Sequence, residues 1–563
     1  MEYSGARILL ECIKKEKVDV LFGYPGGAVL DIYHELSNHK DIKHVLVRHE
    51  QGAVHAADGY ARATGNVGVC LVTSGPGATN TVTGIATAYA DSIPLVVLTG
   101  QVPTPLIGND AFQEVDIVGI TRPCTKHNYL VQDVSQLAMT IKEAFHVARS
   151  GRPGPVLVDI PKDVQNQLYA FHYPERIKMR SYNPTYKPNN NQLRRAIELL
   201  EEAERPLIFA GGGVISSNSA EELGSLARSM QVPVTSTLMG LGAYPGDDPL
   251  WLGMVGMHGS FAANKAVSNA DVILAVGARF DDRVTGKLSS FAAAAKIIHI
   301  DIDPTSIRKN VEVEVPVVGD CKLALQGLER VASAEFSDVQ WAVKHTAWNT
   351  QLREWADTHP VRYHKEEALK PQHVVETIFD LTKGDAIITT EVGQNQMWTA
   401  QFYTFRQPRT LLTSGGLGTM GYGFPAAIGA QMAFPDKLVI DIAGDGSIQM
   451  NIQELMTAVS HKLPVKIVIL NNCFLGMVRQ WQELFYDKNY CSTCMDAQPD
   501  FVKLAEAYGA EGYRITEASS LNDTLRTAFA SPLPCIIDVR VEAEENVYPM
   551  VPAGASLEEM LLV

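Results

Sequence analysis

At 563 residues the chain is too long for one hydrophobic core, and about three or four domains are expected. Its 46% hydrophobic and 20% charged residues suit a globular protein, and a formal net charge of −15 excludes nucleic acid or an anionic membrane as its main partner. No apolar run reaches the length of a membrane span, and eight scattered cysteines, the Cys491/Cys494 pair included, give neither a disulfide framework nor a zinc site.

The amino terminus runs straight into an amphipathic helix and a strand, without a signal peptide or an Arg/Ser-rich transit segment, so a cytoplasmic location is expected. Over residues 1–165, strands at 18–22, 43–47, 67–73 and 95–98 alternate with small-residue helices at 51–64 and 78–90. This is an α/β unit with a parallel sheet. Gly26-Gly27 and Gly75-Pro76-Gly77 follow strands directly, where a backbone can approach a ligand closely.

Residues 166–191, rich in Pro, Asn and Tyr and without periodicity, read as a linker. A second α/β unit covers 192–330, with strands at Pro206–Ala210, Val272–Val276 and 297–302 and a Gly211-Gly212-Gly213 run after the first of them. A mixed, charged stretch over 331–370 reads as a second linker. It leads to a third α/β unit at 371–545 and a tail at 546–563. The first and third units share a rhythm of small-residue helix, proline and strand. The fold class expected is therefore α/β, with three doubly wound parallel-sheet domains, the outer two related and the middle one different.

The third unit holds the most informative segment. Residues 438–443 form an apolar strand, Gly444-Asp445-Gly446-Ser447 interrupts it, residues 452–459 have helical spacing, and residues 465–470 are a second strand ending at Asn471-Asn472. A parallel βαβ unit puts both strand ends on one edge of the sheet, so Asp445, the Asn472 amide and a backbone carbonyl at about Phe474 can share a hard cation such as magnesium. Gly446 and Ser447 open the helix, so their N–H groups and its dipole face the same phosphate. This arrangement resembles the signature of thiamine-diphosphate enzymes.

Glu50, in Arg48-His49-Glu50-Gln51-Gly52-Ala53, ends a strand and opens a helix. Read alone, it also fits a first-turn glutamate favoured by the helix dipole. Beside a thiamine-diphosphate site it acquires a role, because the aminopyrimidine N1′ requires a carboxylic acid to drive its amino–imino exchange, and desolvation favours that neutral acid.

With GYPGGAVLDIY, RHEQGA, GPGATN, GNDAFQE, GRPGPVLVDIPKDV, GMHG, GARFDDRVTG, IDIDP, GTMGYGFPAAIGA, GDGS and NNCFLGMVRQWQ together, essentially the whole chain resembles the catalytic large subunit of the FAD-containing acetohydroxyacid synthases, also called acetolactate synthases. The resemblance implies a homodimer or homotetramer with thiamine diphosphate, Mg2+ and FAD, and with the first unit of one subunit facing the third unit of another. Glu50 and Asp445 then meet across an interface. It assigns Gln394 and Asn395, with Gly446 and Ser447, to the diphosphate, and the Gly418 backbone to the aminopyrimidine. Met420 becomes the support that bends the cofactor, although read alone it also fits a core methionine.

On the substrate side the resemblance places Gly27, Ala28, Phe112 and Gln113, with Lys162 at the channel. Met477 and Trp481, four apart on one helical face, form a wall that favours 2-ketobutyrate over pyruvate as second substrate, since a methylene in such a pocket is worth about 1–3 kcal/mol. Arg283 pairs with the acceptor carboxylate, the alternative being a salt bridge to Asp281 or Asp282. FAD falls to Arg152 and to the stretches 258–279 and 301–320, including His258, Arg279, Asp301 and Asp320, although no GxGxxG follows the first strand of the middle unit. The implied activity is loss of carbon dioxide from pyruvate and transfer of the two-carbon unit to a second 2-ketoacid, feeding branched-chain amino acid synthesis. No segment resembles the small regulatory subunit, so valine control would need a separate partner. A flavin-dependent pyruvate oxidase lacks GARFDDRVTG and the Met477–Trp481 wall, and a non-catalytic homologue is expected to have lost Glu50, Asp445 or Asn472.

Overall fold

The computed structural model describes residues 2–364 and 368–562. Three parallel six-stranded sheets follow one another along the chain. The first unit contains β1 (Glu2–Ser4), β2 (Val20–Tyr24), β3 (Lys43–Leu46), β4 (Gly68–Val72), β5 (Leu95–Gln101), β6 (His127–Leu130) and β7 (Pro155–Pro161), and the stretch read as a linker after it adds a short strand, β8 (Leu168–Ala170). Its sheet has the order β3-β2-β4-β5-β7-β6, while β1 and β8 form a separate antiparallel pair. The second unit contains β9 (Pro206–Ala210), β10 (Val234–Ser236), β11 (Trp251–Met254), β12 (Val272–Val276), β13 (Lys296–Asp301) and β14 (Val315–Val318), ordered β11-β10-β9-β12-β13-β14. The third contains β15 (Ile387–Thr390), β16 (Leu411–Leu412), β17 (Val439–Gly444), β18 (Lys466–Asn471), β19 (Glu511–Ile515) and β20 (Cys535–Arg540), ordered β16-β15-β17-β18-β20-β19.

The central strands are short apolar runs buried on both faces, as parallel sheets covered by helices require. In each sheet the strand order reverses at one point: between β2 and β4, between β9 and β12, and between β15 and β17. Open α/β sheets bind ligands in the crevice at such a point. All three crevices are lined by glycine turns: Gly26 against Thr73 and Gly75 against Gln113, Gly211 and Gly213 against Gly277, and Gly393 near Gly444 through Asn395.

The outer units share a core. The helix Glu50–Thr64 starts with His49 Nδ1 accepting from the Gln51 N–H (3.1 Å) and stops at Gly65, where φ is 78°. Its small residues lie on those of the helix Gly423–Ala433, and one apolar cluster runs from Val45 and Ala57 to Ala427 and Leu455.

Local departures from the sequence reading have physical causes. Within 438–472 the strand continues to Gly444 and Asp445–Ile448 forms a helical turn, because the Gly444 N–H and carbonyl both bond Ser447 Oγ at 3.2 Å. The helix expected over 452–459 is a 3-10 turn, Ile452–Glu454, followed by Leu455–Ser460. The helix over 78–90 divides into Pro76–Thr79 and Val82–Asp91. Much of 331–358 is helical, because Trp348 and Leu352 are buried against the middle unit and the Trp348 indole N–H donates to the Pro206 carbonyl at 3.1 Å. Residues 365–367 of the stretch read as a linker lie outside the described residues. The tail docks on the middle unit: the Val551 N–H bonds the Met257 carbonyl (2.8 Å) and the Lys287 N–H bonds the Ala555 carbonyl (3.0 Å).

Candidate functional site

At the carboxyl ends of β17 and β18, Gly444 pairs with Leu470, which brings Asp445 beside Asn471 and Asn472. The Asp445 carboxylate is buried, and neither oxygen has a hydrogen-bond partner. Such an orphan is costly unless a cation or a proton answers it, and burial raises its pKa from 3.8 to about 7. Around it the amides are ordered. Asn472 Nδ2 donates to Gln394 Oε1 (3.1 Å), and Gln394 Nε2 donates to Gln480 Oε1 and to the Glu545 carbonyl, both at 2.9 Å. Asn395 Nδ2 bonds the Glu391 and Ile442 carbonyls (3.0 and 2.8 Å), which turns its Oδ1 toward Gly393 and Gly444. A Cβ at Gly446 would lie 2.7 Å from Leu475 Cδ2, so a larger residue there would have to push that side chain aside. Phe474, proposed through its carbonyl, follows immediately and bridges to Cys494. Among the described residues no group of three or more His, Cys, Asp or Glu could hold a metal. The donor set is thus one carboxylate with neutral oxygens, the set magnesium accepts when phosphate and water supply the rest.

A glycine-rich loop enters the third unit from β16 and carries Gly418 (φ 72°) and Met420 before the helix Gly423–Ala433. Ser414 Oγ accepts from the Thr419 N–H at 3.0 Å, Glu391 Oε2 accepts from the Gly421 N–H at 2.6 Å, and Asn451 Nδ2 donates to the Gly421 carbonyl at 2.7 Å.

The first unit gathers a second group at its own crevice. Glu50 Oε2 accepts from Asn80 Nδ2 at 2.9 Å, and a Cβ at Gly77 would lie 3.4 Å from Glu50 Oε1. Gln113, with φ 58°, sets its backbone against Gly75, and the adjacent Phe112 is 89% exposed. Lys162 Nζ donates to the Gly27 carbonyl (3.2 Å), and the Ala28 N–H donates to Thr73 Oγ1 (3.3 Å). Glu454, buried in the third unit, accepts the Arg48 N–H on both oxygens at 3.1 Å and so holds the entry to the Glu50 helix.

A cavity of about 940 Å³ lies where the three units meet. Arg152, His258, Arg279, Asp301 and Asp320 line it from one side, and Gly418, Met420, Met477 and Trp481 from the other, with Arg283 also on its wall. Arg152 Nε donates to Ser92 Oγ (2.8 Å), and its Nη1 lies 3.3 Å from Asp303 Oδ2. Burial lowers His258 to about 4, so its ring is neutral at pH 7, with Nδ1 3.2 Å from the Pro549 carbonyl. Burial raises Asp301 to about 6, and Asp320 caps a helix through the Leu323 N–H at 3.1 Å. Arg283 is 63% exposed and 3.8 Å from Asp282, too loose an ion pair to occupy its guanidinium. Met477 and Trp481 sit on the helix Gly476–Phe485.

The structure therefore brings together the residues assigned by sequence to flavin, to the aminopyrimidine loop and to the acceptor wall. It also collects the Asp445 group and the Glu50 group, each at its own crevice. Among the described residues, no hydrogen bond links Glu50 to Asp445 within one chain. Sequence reasoning missed Asn80, Gln480 and Glu454. Asn80 lies inside the GPGATN motif and Gln480 inside GMVRQWQ, but their partners are 30 and 86 residues away, a relation that local pattern does not carry.

Comparison with known proteins matches three family descriptions along the chain. These are the N-terminal TPP binding domain of thiamine pyrophosphate enzymes over residues 3–120, their central domain over 193–328, and their C-terminal TPP binding domain over 391–539. The chain is 50% identical over 565 residues to the acetolactate synthase isozyme 3 large subunit of Escherichia coli K12, spanning 99% of this chain and 98% of that one. It is 48% identical over 563 residues to the acetolactate synthase large subunit of Haemophilus influenzae, with the same two coverages. To the chloroplastic acetolactate synthase 3 of Brassica napus it is 47% identical over 568 residues, covering 99% of this chain and 86% of the plant protein.

Proposed function

The chain belongs to the family of acetolactate synthase large subunits, which are thiamine pyrophosphate enzymes, and on that premise we propose that it makes acetolactate with bound thiamine diphosphate, Mg2+ and FAD. The observation that carries this reading is the buried Asp445 carboxylate, with both oxygens unpartnered, beside Asn472 at a strand-order switch point. Asp445, the Asn472 side chain and the Phe474 carbonyl hold the ion. Gln394, Asn395, Gly446 and Ser447 hold the diphosphate, the backbone at Gly418 receives the aminopyrimidine, and Met420 supports the ring system.

When bound, thiamine diphosphate supplies the carbon centre and electron sink for loss of carbon dioxide from pyruvate and transfer of the two-carbon unit. The chain's own residues place and protonate. Glu50, from the neighbouring subunit of a homodimer or homotetramer, holds a proton against the pyrimidine nitrogen, and Asn80 orients its carboxyl. Gly27, Ala28, Phe112, Gln113 and Lys162 come with Glu50 and border the substrate path. Met477 and Trp481 form an apolar wall that admits 2-ketobutyrate in preference to pyruvate, and the Arg283 guanidinium binds the carboxylate of the incoming ketoacid.

The cavity between the middle unit and its two neighbours suits a dinucleotide, being near the upper end of the roughly 300–1,000 Å³ typical of small-molecule sites. Arg152 there faces phosphate, and Asp301 and Asp320 are within the same cavity for ribose hydroxyls. The proposed domain division is 1–165, 192–330 and 371–545, with connecting segments at 166–191 and 331–370 and a tail at 546–563. The enzyme is placed in the cytoplasm, in branched-chain amino acid synthesis, with a separate small regulatory subunit. No described helix is long and apolar enough to cross a membrane.

The test is an assay with pyruvate, with and without 2-ketobutyrate, in the presence of thiamine diphosphate, Mg2+ and FAD. 2-Acetolactate and 2-aceto-2-hydroxybutyrate are expected. Acetate with stoichiometric flavin reduction would place the chain with the oxidases instead.

A further inference from the structure

The loop that bears Gly418 and Met420 contains Gly415, Gly416, Gly418 and Gly421, and its tip at 416–418 is exposed. Such a segment has the largest backbone freedom to lose and little side-chain packing of its own. Its order must come from outside, and part of it comes from the first unit of the same chain. Asp91, the last residue of the helix Val82–Asp91, has a fully buried side chain. Its Oδ1 accepts the Gly416 N–H at 2.7 Å and its Oδ2 the Gly415 N–H at 3.2 Å. Arg62 neutralises it, with Nη2 2.9 Å from Asp91 Oδ2, while Arg62 Nη1 donates to the Thr413 carbonyl at 2.8 Å. Arg62 is itself held by Asp58 at 2.5 Å, and Asp58 also accepts the Tyr422 hydroxyl at 2.6 Å. Nearby, Thr87 and Thr419 share a hydrogen bond of 2.7 Å.

We propose that Asp91, oriented by Arg62, is a positioning residue that fixes the 413–421 loop of its own chain and so sets Gly418 and Met420 against the aminopyrimidine ring. Two bonds to an ionised carboxylate are charge-assisted and, out of water, stronger than neutral ones, which suits them to pinning a glycine run. The arrangement gives the Glu50–Thr64 helix two duties. Its first residue serves a neighbour's cofactor, and Arg62 near its last turn orders the loop for the chain's own. This rests on the thiamine-diphosphate reading above.

The experiment compares wild type with Asp91→Asn, which keeps one acceptor oxygen, and Asp91→Ala, which keeps none. The rate at which bound thiamine diphosphate exchanges its C2 proton with deuterated water is expected to fall in that order, by about 10- to 100-fold, as for a misplacement near 1 Å. kcat is expected to fall alongside, with KM for pyruvate changed by less than about threefold, the pattern of an interaction realised at the reacting centre. A role limited to fold stability would lower the melting temperature and leave the exchange rate per folded site unaltered. Wild-type exchange rates in both variants overturn the proposal. A wild-type protein that binds no thiamine diphosphate overturns the functional reading instead. Should both variants fail to fold, amide exchange in the cofactor-free wild type decides: protection of Gly415 and Gly416 by at least about 100-fold is expected, and free-loop exchange overturns the proposal.

Discussion

The contact between the helices Glu50–Thr64 and Gly423–Ala433 depends on two glycines, Gly59 against the Ala426 backbone and Gly429 against that of Ala56, and replacing the first separates two effects of opposite sign. Gly59→Ala gains roughly 1 kcal/mol of helix propensity. The new Cβ, however, lies 2.6 Å from Ala426 Cα and 2.7 Å from its carbonyl carbon, both backbone atoms that cannot rotate away. Carbon atoms rest at about 3.5–4.0 Å, so one helix must retreat by about 1 Å. Overpacking of this kind costs about 1–3 kcal/mol and sometimes more. The steric term is expected to win, with a net loss of about 1–2 kcal/mol, read as a lower denaturant midpoint at unchanged slope. The same helix carries Glu50 nine residues earlier, about 14 Å along the axis, so its retreat displaces the acid from the neighbour's cofactor. A fall in kcat/KM of up to about 100-fold is expected in the acetolactate assay. Wild-type stability together with wild-type activity in Gly59→Ala would refute the claim that backbone contact between these helices sets the position of Glu50.

Asp445→Asn is expected to weaken thiamine diphosphate binding at least about 100-fold and to abolish its dependence on Mg2+, as read by titration calorimetry; binding that still tightens with Mg2+ would contradict the ligand assignment. Trp481→Leu is expected to lower the preference for 2-ketobutyrate over pyruvate by about 10-fold, within the 1–3 kcal/mol that an apolar pocket supplies per methylene. Product ratios from mixed substrates measure this, and an unchanged ratio removes Trp481 from specificity. Burial raises Glu454 from 4.5 to about 7 in the folded chain. Because the folded value lies above the unfolded one, this group's contribution is fully present below pH about 4.5 and is lost as pH rises through 7, a loss of up to about 3 kcal/mol. Glu454→Gln, which keeps an acceptor for the Arg48 N–H, is therefore expected to flatten the melting-temperature profile between pH 5 and 8; a profile parallel to wild type contradicts it.

Much of the fold was legible because parallel strands buried on both faces appear as uninterrupted apolar runs, and because glycine turns mark the crevices. The segment 438–472 shows both, and its two strands lie where the runs of Ile, Val and Leu place them. The 331–370 stretch was less legible. Its helices are held by isolated large residues such as Trp348, whose partner carbonyl at Pro206 lies 142 residues earlier. The site divides in the same way. Asp445 and Asn472 sit on one βαβ unit, so spacing alone places them side by side. Asp91 and Gly416 are 325 residues apart, and no periodicity relates an acid at a helix end to a glycine loop in another unit. Nor could the sequence distinguish Arg283 as a structural ion pair from an available guanidinium, which depends on the 3.8 Å gap to Asp282 and on its exposure.

The central claim, that one subunit anchors the cofactor while another activates it, is tested most directly by mixing two inactive proteins. Glu50→Gln and Asp445→Asn are dissociated, combined in equal amounts and reassembled. In a mixed dimer one site pairs an intact Asp445 with an intact Glu50, so acetolactate synthesis is expected to return to about a quarter of the wild-type rate, the statistical share of such sites under closed two-fold pairing. Mixed dimers that form, as shown by mass, and yet stay inactive would mean that both residues act on the same chain's cofactor, and the shared site would have to be abandoned.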